Sequence, residues 1–203
     1  MNARRRILAA SLAAASLALF GPQAFAQTPK VLKISHQFPG GSIDEGDFRD
    51  RMVRKFAAEV EKRTNGQLKF EIYPGGSLVK PVEQWGAMAN GSLDMSLYPL
   101  AYAGGRVPEL NIGLMPALVT SYEQGLRWKD APIGKELTRI VEEKGVKIVT
   151  WVWQAGGIAS RGKPILQPDD VKGLKFRGGS KEMDMMLKAA GASPTNVPSS
   201  EIY

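Results

Sequence analysis

Apolar residues recur along this chain at two spacings, one typical of buried strands and one typical of amphipathic helices. Short apolar or alternating runs predict three strands, at residues 31–37, 67–73 and 93–98. Between the first two strands, four apolar residues spaced four apart predict a helix, namely Phe48, Met52, Phe56 and Val60. Asn65-Gly66 is a typical helix end, and a second helix is predicted over residues 81–90. Strands that alternate with helices favour parallel βαβ units, so the predicted fold class is α/β.

The chain between residues 99 and 160 is less regular. Gly104-Gly105, Pro108 and Pro116 within residues 99–119 predict short turns that cross a surface. A helical pattern then returns, and Gly145 closes a helix that starts near Asp130. The apolar run 146–153 predicts a further buried strand.

The stretch after residue 168 places an arginine at the end of a predicted strand. Asp169 to Gly173 reads as one helical turn closed by glycine, and the strand that follows ends at Arg177. Two glycines and Ser180, a typical helix N-cap, come next. In α/β proteins, ligands bind in the crevice at the carboxyl ends of strands, so we expect the Arg177 guanidinium to point into that crevice. The alternative is a structural arginine that ties Asp169 or Asp170 to the sheet.

An arginine at this position points to an anionic ligand. Its planar fork matches a carboxylate with two hydrogen bonds, and it stays charged when water is excluded. Arg161, on a predicted strand over residues 157–161, is the natural second donor, although an exposed surface arginine fits the pattern equally well. The remaining candidate ligand contacts follow predicted strands and are Gln37, Tyr98, Trp153 and Gln154.

The N-terminus has the three parts of a secretory signal. Arg4, Arg5 and Arg6 precede an apolar stretch, and Ala24-Phe25-Ala26 is a cleavage motif, so we predict a signal peptide over 1–26, cleaved after Ala26, and a periplasmic protein. The apolar stretch is too short for a membrane anchor, which is the alternative.

The charge that remains after cleavage is small. The full chain has 27 basic and 20 acidic residues and a net charge of +7. Without the three leader arginines, 24 basic residues face 20 acidic ones, which leaves +4. The basic residues are interspersed with acids, as in the run Arg49, Asp50, Arg51, which is typical of a solvated helix face and not of a nucleic-acid-binding surface.

Few residues in the chain suit catalysis or metal binding. There is no cysteine, and His36 is the only histidine, so no thiolate or multi-histidine site can form. Two S-x-x-K matches lack the companion motifs of serine hydrolases. Asp44, Glu45 and Asp47 are the acid–base candidates, but their spacing is also that of a polar loop and first helical turn. We therefore expect no enzyme and no cofactor, and the sequence designates no metal ligand.

Several segments resemble one transport family. PDDVKGLKFR, a following amphipathic helix and GASPTNVPSSEIY resemble the signature region of the solute-binding proteins of tripartite ATP-independent periplasmic (TRAP) transporters, the DctP-like family. VLKISHQ, QLKFEIYPGGSL and NGSLDMSLYPL extend the resemblance over the chain after residue 26. It implies a two-lobed periplasmic binding protein of the Venus-flytrap type. Such a receptor closes on a small organic acid, such as a dicarboxylate or keto acid, and delivers it to a membrane permease.

The resemblance also implies the role of Arg177 and the division of the chain. The matching arginine of the family grips the ligand carboxylate. We expect a first lobe over 27–153 and the start of a second lobe over 154–203. The predicted strand over 146–153 would then cross between the lobes, and residues 154–157 are the predicted hinge. That second lobe is incomplete, because the last six residues read as a helix start, and we therefore expect a larger protein. The alternatives of other classes are an exported α/β enzyme and a receptor that presents its ligand to a sensor kinase.

Overall fold

A parallel three-stranded sheet forms the first part of the fold. The computed structural model describes residues 28–202, so the predicted signal peptide and its cleavage site lie outside the described residues. The strands are β1 (Lys30–His36), β2 (Leu68–Tyr73) and β3 (Met95–Leu97), in the order β2-β1-β3. Ile34 of the central strand pairs with Ile72 on one side and Met95 on the other. The predicted α/β class with parallel strands is confirmed.

Five α-helices and six short 3₁₀ helices accompany the strands. The α-helices are α1 (Phe48–Arg63), α2 (Gln84–Ala89), α3 (Tyr122–Arg127), α4 (Pro132–Glu143) and α5 (Lys181–Ala189), as counted over residues 28–202. The 3₁₀ helices are Pro81–Glu83, Leu100–Ala103, Pro108–Leu114, Trp128–Asp130, Pro168–Val171 and Ser199–Glu201. In α1, the Asp47 side chain caps the first turn, and Asn65 and Gly66 at positive φ end the helix and return the chain to β2. Among the described residues, no helix is both long and apolar enough to cross a bilayer.

The first core lies beside this sheet and includes the irregular middle of the chain. Its buried members include Trp85, Leu110, Trp128, Leu137 and Val141. Leu110 is fully buried although it lies in the segment predicted as surface turns. Each such side chain contributes about 1.5 to 3 kcal/mol when fully buried, which explains why a proline- and glycine-rich segment holds a defined path.

A second, smaller parallel sheet has its own core. Strands β4 (Lys175–Arg177) and β5 (Ser193–Thr195) pair in parallel, and α5 connects them. The core of this part consists of Val171, Leu187 and Ala192. Ser180 caps α5 as predicted, since its Oγ accepts a hydrogen bond from the Met183 N–H at 3.2 Å.

The predicted strands over 146–153 and 157–161 do not form in the described part of the chain. Both stretches lack strand pairing, and Val149 and Ile158 are 63% and 57% exposed. Trp151 and Trp153 nevertheless pack against the first core. The apolar pattern correctly indicated burial on one side, but a strand also needs a partner backbone, and none of the described residues supplies one there.

The loop after β1 is fixed by a buried hydrogen bond between His36 and Asp50. His36 and Asp50 are both fully buried, and His36 Nε2 lies 3.1 Å from Asp50 Oδ1. Asp50 Oδ2 also accepts hydrogen bonds from the Gly41 N–H at 2.9 Å and from Arg54 Nε at 2.7 Å. Burial lowers the pKa of His36 below its usual 6.5, and the Asp50 carboxylate only partly opposes this. His36 is therefore a packed, loop-anchoring residue.

Lowering the pH should destabilise the fold through His36. Because its pKa in the folded state is below that of the unfolded chain, the unfolded state binds the proton more readily once the pH falls below about 6.5. The stability present above pH 6.5 is therefore lost progressively as the pH falls toward the folded pKa, with a slope of at most about 1.4 kcal/mol per pH unit for one proton. Urea unfolding between pH 7.5 and 5 should show the slope in the parent protein and a smaller one in His36→Gln. A parent protein that gains stability as the pH falls would show that Asp50 holds His36 protonated.

Candidate functional site

A broad groove with a volume of ≈ 1760 Å³ is lined by residues of both sheets. All six residues that the sequence singled out as ligand contacts line it, namely Gln37, Tyr98, Trp153, Gln154, Arg161 and Arg177. The fold thus brings together side chains that lie up to 140 positions apart in the sequence. They lie at the carboxyl ends of β1, β3 and β4 and along residues 153–161, which form no strand.

Arg177 ends β4 and keeps part of its guanidinium group uncommitted. Its Nε donates to the Val197 carbonyl oxygen at 3.0 Å, and its Nη2 donates to the Tyr102 hydroxyl at 2.7 Å. Both contacts use the side edge of the guanidinium, formed by Nε and Nη2. Nη1 makes no hydrogen bond to any residue in 28–202, so the terminal edge still offers N–H donors.

The acids near the β4 turn have other partners. Asp170 Oδ2 accepts hydrogen bonds from the Leu166 and Gln167 N–H groups, both at 2.9 Å, which lowers the pKa of Asp170. Asp169 forms an ion pair with Lys172 at 2.9 Å. The alternative in which Arg177 is tied to one of these two aspartates is therefore contradicted. Burial raises the pKa of Asp184, and the Gly178 N–H and the charge of Arg177 oppose that rise.

Tyr102 is the site residue that the sequence reasoning missed. Its hydroxyl lies 3.2 Å from Gln37 Oε1, 2.7 Å from Arg177 Nη2 and 3.0 Å from the Ser199 nitrogen. Gln37, directly after β1, is 3% exposed. One hydroxyl thus joins four segments of the chain. The only sequence signal for Tyr102 was its position two residues before Gly104-Gly105. A tyrosine near a pair of glycines is too common a pattern to identify a site residue.

Tyr98 contributes its aromatic ring, and not its hydroxyl, to the lining of the groove. The ring lies between Trp85, at 6.2 Å between centroids, and Tyr102, at 6.1 Å in an edge-to-face arrangement. The hydroxyl is buried without a hydrogen-bond partner among the described residues. Burial raises the pKa of Tyr98 far above the ordinary tyrosine value. Tyr98 therefore forms an apolar wall of the groove.

Trp153 is likewise a wall anchored in the core. Its ring lies 5.0 Å from that of Trp128 and stacks on Trp151 at 6.3 Å. A Cβ at Gly125 would come within 2.8 Å of the Trp153 ring, so the indole packs closely on the backbone of α3. Its Nε1 is buried without a partner among the described residues.

Two further arginines line the groove and differ in charge balance. Arg161 is exposed and forms no ion pair with any described residue. Arg49, which the sequence analysis assigned to a solvated helix face, lies 4.0 Å above the Phe38 ring and pairs with Asp47 at 2.6 Å. Its Nη1 reaches Gln154 Oε1 at 3.5 Å, the outer limit of a hydrogen bond. The charge of Arg49 is thus balanced, and that of Arg161 is not.

The groove has the chemistry of a binding site for an organic anion. It combines uncommitted guanidinium N–H groups, amide side chains and aromatic walls. Within residues 28–202, no group of three or more His, Cys, Asp or Glu side chains is placed to hold a metal ion.

Comparisons with known proteins identify the family of this chain. The family model for bacterial extracellular solute-binding protein, family 7 (DctP), matches residues 42–203. A solute-binding protein of Albidiferax ferrireducens is 66% identical over 180 residues, which is 89% of this chain and 53% of that protein. The C4-dicarboxylate-binding periplasmic protein DctP of Rhodobacter capsulatus is 31% identical over 202 residues, which is 98% of this chain and 59% of that protein.

A solved structure of a solute-binding protein has a similar fold. The TRAP periplasmic solute binding protein from Rhodoferax ferrireducens, with bound malonate, superimposes with a TM-score of 0.83 at 66% identity and covers 85% of this chain and 54% of that one. The chain therefore spans about half the length of the relatives it matches. The family model and these relatives confirm the predicted family and the two-lobed fold: the chain belongs to the DctP family of bacterial extracellular solute-binding proteins, the periplasmic binding proteins of TRAP transporters.

Proposed function

We propose that this protein is the periplasmic receptor of a TRAP-type transporter, which captures a small organic acid through Arg177 and delivers it to the membrane permease. The observation that carries the proposal is the uncommitted terminal edge of the Arg177 guanidinium in a groove between two lobes. A carboxylate accepts two parallel hydrogen bonds from such an edge. The malonate in the 66% identical structure supports an acid of this size.

The energetics require more than one clamp. A hydrogen bond to a charged group contributes about 1.5 to 3 kcal/mol, so two of them contribute about 3 to 6 kcal/mol. A micromolar dissociation constant needs about 8 kcal/mol. The difference must come from further donors and from exclusion of water when the lobes approach each other.

Arg161 is the second donor that we propose. It lines the groove without an ion-pair partner in the described chain, whereas Arg49 is already neutralised by Asp47. In this proposal the amides of Gln154 and Gln37 hydrogen-bond the ligand, and the rings of Tyr98 and Trp153 form the walls of its site. Two cationic donors favour a dicarboxylate or a keto acid over a neutral solute.

The lobe boundary and the export route belong to the same proposal. Trp153 packs on the first core, while Gln154 and the following Gly156 and Gly157 are exposed, which supports a boundary between 153 and 154. The signal peptide over 1–26 is the proposed export signal, with cleavage after Ala26. Uptake of radiolabelled malonate into vesicles that contain the permease subunits, measured with and without this protein, would separate transport from ligand presentation to a sensor kinase.

Arg177→Ala should abolish binding while the fold is retained. In the intact protein, calorimetry with malonate, succinate and pyruvate should detect a ligand that is bound and not converted, and the alanine variant should bind it at least a hundredfold more weakly because both charged hydrogen bonds are lost. Arg177→Lys should lose nearly as much, since an ammonium group lacks the planar fork.

The matched control for Arg177 is Arg63→Ala. Arg63 is an exposed arginine paired with Glu59 on α1, and its removal should leave affinity unchanged. Equal affinity of Arg177→Ala and the parent would disprove the site. Turnover of the ligand would instead favour the exported enzyme.

Gly179→Ala should weaken binding by displacing Arg177. Gly179 has φ +104°, and a Cβ there would lie 2.7 Å from Arg177 Nη1 and 3.0 Å from Cζ. The backbone strain should lower the free energy of unfolding by about 1 kcal/mol or more, and the collision should reduce affinity at least tenfold. Gly66→Ala is the control, because its φ is +74° and its Cβ would meet no atom within 4 Å. If both variants lower stability and neither lowers affinity, the guanidinium position does not matter for binding.

A further inference from the structure

The hydroxyl of Tyr102 has all of its hydrogen-bonding capacity in use, and each bond has a defined direction. A phenol has one donor and two acceptor positions. Arg177 Nη2 and the Ser199 backbone nitrogen can only donate, so the hydroxyl accepts from both, at 2.7 and 3.0 Å. Its own hydrogen therefore points to Gln37 Oε1 at 3.2 Å. This leaves the Gln37 amide nitrogen as the donor end of that side chain.

These bonds fix which edge of Arg177 remains free. Tyr102 and the Val197 carbonyl hold Nη2 and Nε, so the guanidinium plane cannot rotate about its last side-chain bonds without breaking a hydrogen bond. The 2.7 Å contact is within the range of charge-assisted bonds. An arginine held in this way need not be immobilised by its ligand, which would otherwise lower affinity through lost rotamer freedom.

The same hydroxyl connects the two sheets. Gln37 directly follows β1 of the first sheet, whereas Arg177 ends β4 and Ser199 follows β5 of the second. Tyr102 lies on the 3₁₀ helix Leu100–Ala103, where the Tyr98 ring supports it edge-to-face. We infer that Tyr102 is a positioning residue: its hydroxyl orients Arg177 toward the anion and couples that arginine to Gln37 on the opposite lobe. This inference rests on the proposed role of Arg177.

Tyr102→Phe tests the inference, because it removes the hydroxyl and keeps the ring. In the intact protein without ligand, the ¹⁵Nε–¹Hε resonance of Arg177, assigned by its absence in Arg177→Lys, should be sharp in the parent and broadened or shifted in Tyr102→Phe. Calorimetry with malonate should show an affinity that is lower by roughly tenfold to a hundredfold, the range expected for one hydrogen bond to a charged group. Tyr73→Phe is the control, since that exposed hydroxyl bonds only to Glu71 among the described residues, and it should change neither measurement.

Either half of the result can overturn the inference. If the Arg177 resonance is unchanged in Tyr102→Phe, Tyr102 does not position that side chain, whatever happens to affinity. If the resonance broadens and malonate binds as tightly as before or more tightly, the positioning has no role in binding. If the parent protein binds no malonate, the proposed ligand class fails instead, and the resonance alone decides whether Tyr102 orients Arg177.

Discussion

The proposed site depends on a guanidinium group that is held in place by uncharged groups. Arg177 is bound by a hydroxyl and a backbone carbonyl, which fix its orientation but carry no net charge. A carboxylate partner would bind it more strongly and would also remove the reason for an anion to approach. Arg49 shows the contrast in the same groove, because Asp47 holds it at 2.6 Å and balances its charge. Orientation by uncharged groups therefore supports the proposed role of Arg177 as the anchor of an anion.

The side of the groove that carries Gln37 is held in place by different interactions. Gln37 follows a strand that is paired on both edges, and the preceding residue, His36, is hydrogen-bonded to Asp50. Asp50 also holds the Gly41 backbone and therefore the loop that leaves the groove. Gln37 is thus placed by backbone pairing and a buried His36–Asp50 hydrogen bond, while Arg177 is placed by side-chain contacts at a strand end. The two meet at one tyrosine.

Local sequence signals predicted the strand ends and failed at long-range contacts. The positions of Gln37 and Arg177 followed from apolar runs and the glycines or prolines after them, and the Ser180 cap from residue type, because these features act over a few residues. Tyr102 was missed because its role comes from partners 65 and 75 positions away. Arg49 was assigned to a solvated helix face for a similar reason. A charged residue among other charged residues gives the same sequence pattern whether its side chain faces water or a groove. The prediction of a strand over 146–153 was wrong because a strand needs a second backbone segment to pair with, and the apolar pattern does not show whether one is present.

Orientation of the anchor matters most when the ligand is small. In the proposed function, a small acid enters the groove while most of its surface is still hydrated. Few shape contacts exist at that stage, so the first discriminating contact would be electrostatic and directional. An arginine that already presents its free edge would provide that contact, whereas a freely rotating one would have to be ordered by the ligand when few other contacts exist to compensate.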